Sequence, residues 1–238
     1  MAGRGDRQPA SSGDGGAGRG ARREGVPYDE GYYRYRESTR DFRIEVELLY
    51  RLLRPQPGSR ILEVGCGGGA LLSFLEGKGH EVVGVDILEE AVRLARTAAP
   101  SSRVIRARAE ELPFADASFD RVVSHHLVEH LEDLAAGLSE WRRVLRPGGL
   151  LAVCTPNRLY PSPRIFEDPG HVHVYDGKEL RRAVEAAGLE VERCFTVFPH
   201  LLRDRVSVAV GVPLYRVFSG LPWFRERGRS LLLSARRG

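Results

Sequence analysis

Ile61-Leu62-Glu63-Val64-Gly65-Cys66-Gly67-Gly68-Gly69-Ala70-Leu71-Leu72 is the stretch that decides the fold. The apolar pair Ile61-Leu62 leads to an acid, Glu63. Glycines follow at Gly65, Gly67, Gly68 and Gly69, and then a helix-like run from Ala70 to Leu75. A strand, a glycine turn and a helix open a nucleotide-binding α/β unit. Glycine lets the backbone turn tightly and lets a ligand approach where a Cβ would clash. Taken alone, the spacing also fits the dinucleotide pattern GxGxxA, or a tight turn that binds nothing.

Working outward narrows the choice. A second apolar run, Glu81-Val82-Val83-Gly84-Val85, ends in Asp86. That acid lies about twenty residues after the first glycine, at the end of the next strand, where it can reach ribose hydroxyls. Glu110-Glu111-Leu112-Pro113-Phe114 comes next, then Ser118-Phe119-Asp120-Arg121-Val122-Val123. Last is Leu145-Arg146-Pro147-Gly148-Gly149-Leu150-Leu151, read as a helix end, a turn and a strand start. This ordered set resembles the class I S-adenosylmethionine-dependent methyltransferases, in particular the small-molecule branch that includes the ubiquinone-pathway O-methyltransferases. The resemblance covers about Tyr28 to Gly188 and the last strand. Glu63 placed just before the glycines favours that family over nicotinamide enzymes.

Apolar periodicity predicts strands at 60–64, 81–86, 103–108, 120–125, 149–155, 190–198 and 230–234. Helices are predicted at about 41–53, 69–77, 88–99, 132–145 and 177–187. Such βα alternation implies a mostly parallel, Rossmann-like doubly wound sheet with helices on both faces. The resemblance adds a strand order of 3-2-1-4-5-7-6, with strand 7 antiparallel. Residues 1–25 are rich in Gly, Arg and Ser and almost free of large apolar side chains, so they are expected to be disordered. Residues 26–58 read as a cap segment and helix, with Tyr28, Tyr32, Tyr33 and Tyr35 clustered ahead of it. Residues 59–238 read as the methyltransferase domain, with an insertion at 199–229 before the last strand.

Composition excludes several classes. The chain has 238 residues and a formal charge of +4, with 42% hydrophobic and 29% charged residues, ordinary for one soluble domain. Cys66, Cys154 and Cys194 are odd in number and far apart, which argues against a disulfide framework and against zinc. The N-terminus carries no apolar signal segment, so a cytoplasmic enzyme is expected. The Val206–Phe224 run is broken by Arg216, Pro213 and Pro222 and is not a membrane span. Trp223 and Phe224 beside arginines leave a membrane-interface contact open, with a lid over the substrate pocket as the other use. No RNA-binding module is visible, so nucleic acid is not the expected partner. The runner-up readings are an RNA methyltransferase and a non-catalytic cofactor-binding regulator. Oligomeric state is left open.

The resemblance implies S-adenosylmethionine as cofactor. It places Glu63, Gly65, Cys66, Gly67 and Gly69 around the methionine and ribose part, and Asp86 on the ribose hydroxyls. Ile87 is expected on the adenine, with Ala109 and Glu110 nearby and Ser124 and His125 near the methyl group. Much of the family has an acid before that alanine; here the position is Arg108, so Glu110 is the candidate for the adenine contact. An N-cap role for Asp86 is the alternative reading of that acid. Methyl transfer to a hydroxyl, or less readily to an amine or carbon, calls for a base, and histidine suits neutral pH. The candidates are His125, His126, His130 and His171. His126 and His130 are four apart and would share a helix face. That spacing can also hold a metal, but no HExxH pattern is present and no metal is expected. Arg164 to Tyr175, with alternating His171, His173 and Tyr175, and the insertion are expected to recognise a small or lipid-like acceptor.

Overall fold

The computed structural model describes residues 28–161, 168, 170–199 and 226–238. The tail 1–25 and residues 200–225 of the expected insertion lie outside them. In chain order the elements are α1 (Glu30–Ser38), α2 (Arg40–Leu53), β1 (Arg60–Val64), α3 (Ala70–Gly77), β2 (Glu81–Asp86), α4 (Glu89–Ala98) and β3 (Arg103–Arg106). There follow β4 (Phe119–His125), a 3-10 turn (Val128–His130), α5 (Leu134–Val144), β5 (Leu145–Pro156), α6 (Gly177–Ala186), β6 (Leu189–Pro199) and β7 (Gly228–Arg237).

The seven strands form one sheet in the order β3-β2-β1-β4-β5-β7-β6. Strands β1 to β5 are parallel, and β7 runs antiparallel to both β5 and β6, as expected. Side chains alternate across a strand, and here both faces are apolar. Ile61, Val82, Val123, Ala152 and Leu232 pack with α2, α3 and α4 through Leu49, Leu53, Leu72, Leu75 and Ala95. Their neighbours Leu62, Val83, Val122, Val153 and Leu233 pack with α5 and α6 through Leu138, Trp141, Val144, Leu180 and Val184. Each fully buried side chain of this kind contributes about 1.5–3 kcal/mol. Trp141 is fully buried and donates its indole N–H to the Ala109 carbonyl at 3.1 Å, so its one polar atom is satisfied.

Three features differ from the sequence reading. The tyrosine cluster lies on a helix, α1, capped by the Asp29 carboxylate accepting from the Tyr32 N–H. None of its residues is fully buried, which is why apolar periodicity does not announce it. Strand β5 starts at Leu145, because Leu145 pairs with Phe119 before the irregularity at Pro147-Gly148. Strands β6 and β7 extend to Pro199 and from Gly228, where they still pair, so the insertion narrows to the residues between. No helix among the described residues is long and apolar enough to cross a membrane.

Candidate active site

Strand order reverses between β1 and β4, and a crevice opens beyond their carboxyl ends, where such sheets bind ligands. On the β2 side the glycine loop turns through left-handed conformations, with φ of +78° at Gly65 and +51° at Gly67. Asp86 closes it: Oδ2 accepts the Gly67 N–H at 3.0 Å and Oδ1 accepts the Leu88 N–H at 2.9 Å. The N-cap reading of Asp86 does not hold, because the N-cap of α4 is Leu88 and carries no side-chain cap; Asp86 instead ties the turn before α4 to the glycine loop. Gly69 serves packing, because a Cβ there would stand 2.7 Å from the Ala95 Cα of α4.

Three carboxylates converge on this loop. Glu63 is buried, and its Oε2 has no hydrogen-bond partner. Burial, then the charges of Glu37 and Asp86, push its pKa well up. Glu37 of α1 lies beside Gly68, and burial raises its pKa, opposed by the nearby backbone N–H groups of Ala70 and Gly68 and by Arg36. Burial likewise raises Asp86. A buried carboxylate with an idle oxygen and two acidic neighbours matches a cationic ligand. Tyr33 of α1 lies over Gly67, 2.9 Å from where a Cβ would stand.

The other cofactor-side candidates are placed as follows. Ile87 is exposed at the rim of the crevice (43%), an apolar surface open to a ring. Arg108 pairs with Glu110 at 3.4 Å, so the basic departure and the neighbouring acid neutralise each other. Ala109 is buried with its carbonyl on Trp141. The Ser124 hydroxyl donates to the Val64 carbonyl at 3.1 Å, tying β4 to β1. Cys66 is buried, and burial pushes its thiol pKa well up, so it acts as a small apolar side chain. All three cysteines are free thiols.

On the β4–β5 side lies a cavity of about 250 Å³, lined among others by Tyr32, Arg36, Glu45, His126, Glu129, His171 and Arg229. Glu45, on α2, was not singled out from the sequence. It falls on the helix's buried face with Val46, Leu49, Leu52 and Leu53, and an acid on that apolar stripe was the available signal. Its Oε2 meets His125 Nε2 at 2.9 Å and His126 Nε2 at 3.3 Å, and its Oε1 accepts from the Ser230 hydroxyl. Glu129 Oε1 meets His126 Nδ1 at 3.2 Å, and Oε2 accepts from Thr155 Oγ1 at 2.9 Å.

The charges sort themselves. Burial would raise Glu45, but His126 and the hydrogen bonds from both histidines hold it well below the carboxylate range. Burial also opposes ionisation of Glu129, yet the His126 hydrogen bond and charge bring it down to about 2. Burial and Arg36 work against a charged His126, and the two carboxylates outweigh them and raise its pKa. Burial, then the neighbouring His126, lowers His125 to about 4. His126 is thus an imidazolium held between two carboxylates, and His125 is neutral.

The four histidines do not form one row. His126 adopts a left-handed φ of +54°, so it and His130 do not share a helix face as the spacing predicts. Glu129 stands between them instead, 4.0 Å from His130 Nε2. His171 lines the cavity, while His173 is half-exposed beside Glu179 at 3.6 Å. Of the Arg164 to Tyr175 loop, residues 164–167 and 169 lie outside the described residues.

The chain has relatives among known proteins. Residues 62–153 match a family model described as a methyltransferase domain. The chain is 39% identical over 155 residues to a protein of Mycolicibacterium smegmatis named a probable S-adenosylmethionine-dependent methyltransferase, covering 64% of this chain and 60% of that one. A protein of Mycobacterium tuberculosis with the same designation is 35% identical over 185 residues, covering 74% and 68%. The ubiquinone biosynthesis O-methyltransferase of Agrobacterium fabrum is 32% identical over 173 residues, covering 66% and 69%.

Proposed function

Because this chain belongs to the class I S-adenosylmethionine-dependent methyltransferases, we propose that it transfers a methyl group to a hydroxyl of a small, polar acceptor held in the cavity beside Glu45, His126 and Glu129. The observation that carries this reading is the cavity itself. It is about 250 Å³, roughly the space of one substituted ring, and its wall holds buried carboxylates and imidazoles beside two guanidiniums. That lining favours an oxygen-rich molecule over a lipid tail. The name of the Agrobacterium fabrum relative, an O-methyltransferase, points the same way.

The cofactor side fits S-adenosylmethionine. Its cationic groups match the Glu37, Glu63 and Asp86 carboxylates, and the idle Glu63 Oε2 is a ready acceptor for an ammonium. Bound there, the cofactor supplies a methyl group on a sulfonium, a leaving group of its own. The residues then have three tasks. Glu63, Gly65, Gly67 and Asp86 hold the cofactor, with Ile87 against its ring. The α1 helix excludes water by lying over the glycine loop with Tyr33 and over the acceptor cavity with Tyr32 and Arg36. The cavity wall of His126, His171, Glu45 and Glu129, backed by His125 and His130, orients the acceptor oxygen, since in-line displacement demands alignment above all.

Calorimetric titration with S-adenosylhomocysteine tests the cofactor half, and transfer of a radiolabelled methyl group to phenolic and polyol acceptors tests the other. Micromolar binding with labelling of a hydroxyl compound is expected. Binding without turnover on hydroxyl, amine or carbon acceptors would overturn the transfer reading in favour of a regulatory protein.

A further inference from the structure

The histidines raise a difficulty that their arrangement also answers. His125 is buried against Glu45, and His126 has both ring nitrogens on carboxylates, so neither offers a free lone pair to the cavity. The other two lie near Glu129: His130 Nε2 is 4.0 Å from its Oε1, and His171 offers a donor atom within 4.8 Å while its Nε2 also lies 3.7 Å from Asp168 Oδ2. We propose that Glu129, His130 and His171 form a binding site for a divalent transition-metal ion on the wall of the acceptor cavity.

Each offers a donor atom, and the three atoms lie within 4.8 Å of one another. Ligand atoms around a shared ion stand about 3–3.5 Å apart, so the set closes by side-chain rotation. The surroundings are those of a ligand shell. His130 Nδ1 donates to the Gly170 carbonyl at 2.9 Å, which leaves Nε2 as the ring nitrogen that would meet an ion. That Nε2 faces Glu129 Oε1 at 4.0 Å. Thr155 orients the other Glu129 oxygen. The Glu129 carbonyl accepts the N–H groups of Val172 at 2.7 Å and His173 at 3.1 Å, which pins the His171 segment against the Glu129 turn. The Tyr28 hydroxyl, buried without a partner, edges the same corner beside Gly170.

Charge supports a cation. Asp41, Glu45, Glu129 and Asp168 line the cavity against Arg36 and Arg229. Two imidazoles and one carboxylate suit zinc, cobalt, iron(II) or manganese better than magnesium or calcium. Three protein ligands leave positions open toward the cavity. An acceptor hydroxyl bound there would ionise more readily, its proton leaving to solvent, as a metal-bound water does. That role rests on the hydroxyl reading above; the site itself does not.

The test is cobalt(II) titration of the chelator-treated full chain, followed by visible absorption, with zinc(II) calorimetry alongside. One cobalt per chain with ligand-field bands is expected. His130→Ala and His171→Ala should each weaken binding about 10–100-fold, while His173→Ala and Cys154→Ser leave it unchanged. S-adenosylhomocysteine titration on each variant checks that it is folded, and His171→Gln serves where the alanine variant is not. No saturable binding, or binding that survives both histidine variants, would overturn the site. So would a sulfur-to-cobalt charge-transfer band lost in Cys154→Ser, which would place the ion in the neighbouring Glu45, His125, His126 and Cys154 group. Metal binding without S-adenosylhomocysteine binding by the wild-type protein would count against the methyl-transfer reading and leave the metal site standing.

Discussion

The two halves of the crevice are built differently. The proposed cofactor half centres on one continuous run, Glu63 to Ala70, with Asp86 at the end of the adjacent strand and Tyr33 and Glu37 of α1 against the loop. The acceptor half gathers Glu45, His126 with Glu129, His171 and Arg229 from four separated segments and works through buried side-chain charge. A short local motif tolerates change elsewhere in the chain. A buried charge cluster stands or falls with every member, because removing one partner leaves another unpaired in a poor solvent for ions.

Substitutions test this contrast, the largest effect first. Glu45→Ala strips His125, His126 and Ser230 of a shared acceptor and should cost about 3–5 kcal/mol of stability in denaturant unfolding. The surviving folded fraction should bind S-adenosylhomocysteine as the wild type does; a parallel loss of that affinity would mean the halves are not separable. Asp86→Ala should weaken S-adenosylhomocysteine binding about 100-fold, the loss of two charge-assisted hydrogen bonds, with a smaller change in Tm than Glu45→Ala.

Acid should reach the acceptor half through His125. Its folded pKa of about 4 lies below the ordinary histidine value of 6.5, so the unfolded chain binds the proton more tightly. The stability it contributes is complete above 6.5 and is lost as pH falls toward 4. Between pH 7 and pH 5 this removes about 2 kcal/mol, or roughly 5 °C in Tm, and His125→Gln should flatten that slope. An unchanged slope would mean other groups govern acid unfolding. The smallest effect is expected of Ile87→Ala, which should lower S-adenosylhomocysteine affinity about fivefold through lost apolar contact without moving Tm.

The same contrast explains what could be read from the sequence. All seven strands and the Glu63-to-Gly69 and Asp86 motif were legible because they depend on local period and local glycine geometry, whereas the strand order came from the family resemblance. Glu45 was hidden, although an acid on the apolar stripe of α2 marked it. Helix α1 was hidden because none of its residues is fully buried, so no apolar stripe marks it. The relation of His130 to His171 across forty residues depends on the Val172 and His173 amides meeting the Glu129 carbonyl, which no spacing rule encodes.

Strand β7 follows every other strand in sequence yet slots between β5 and β6, carrying Arg229 and Ser230 to Asp41 and Glu45. On the ribosome, then, the glycine loop and Asp86 emerge long before the acceptor cavity has its last wall. Domains emerging N-terminus first can begin to order before synthesis ends. A chain made only as far as β6 has the glycine loop and Asp86 but lacks the strand that brings Arg229 and Ser230 to Asp41 and Glu45.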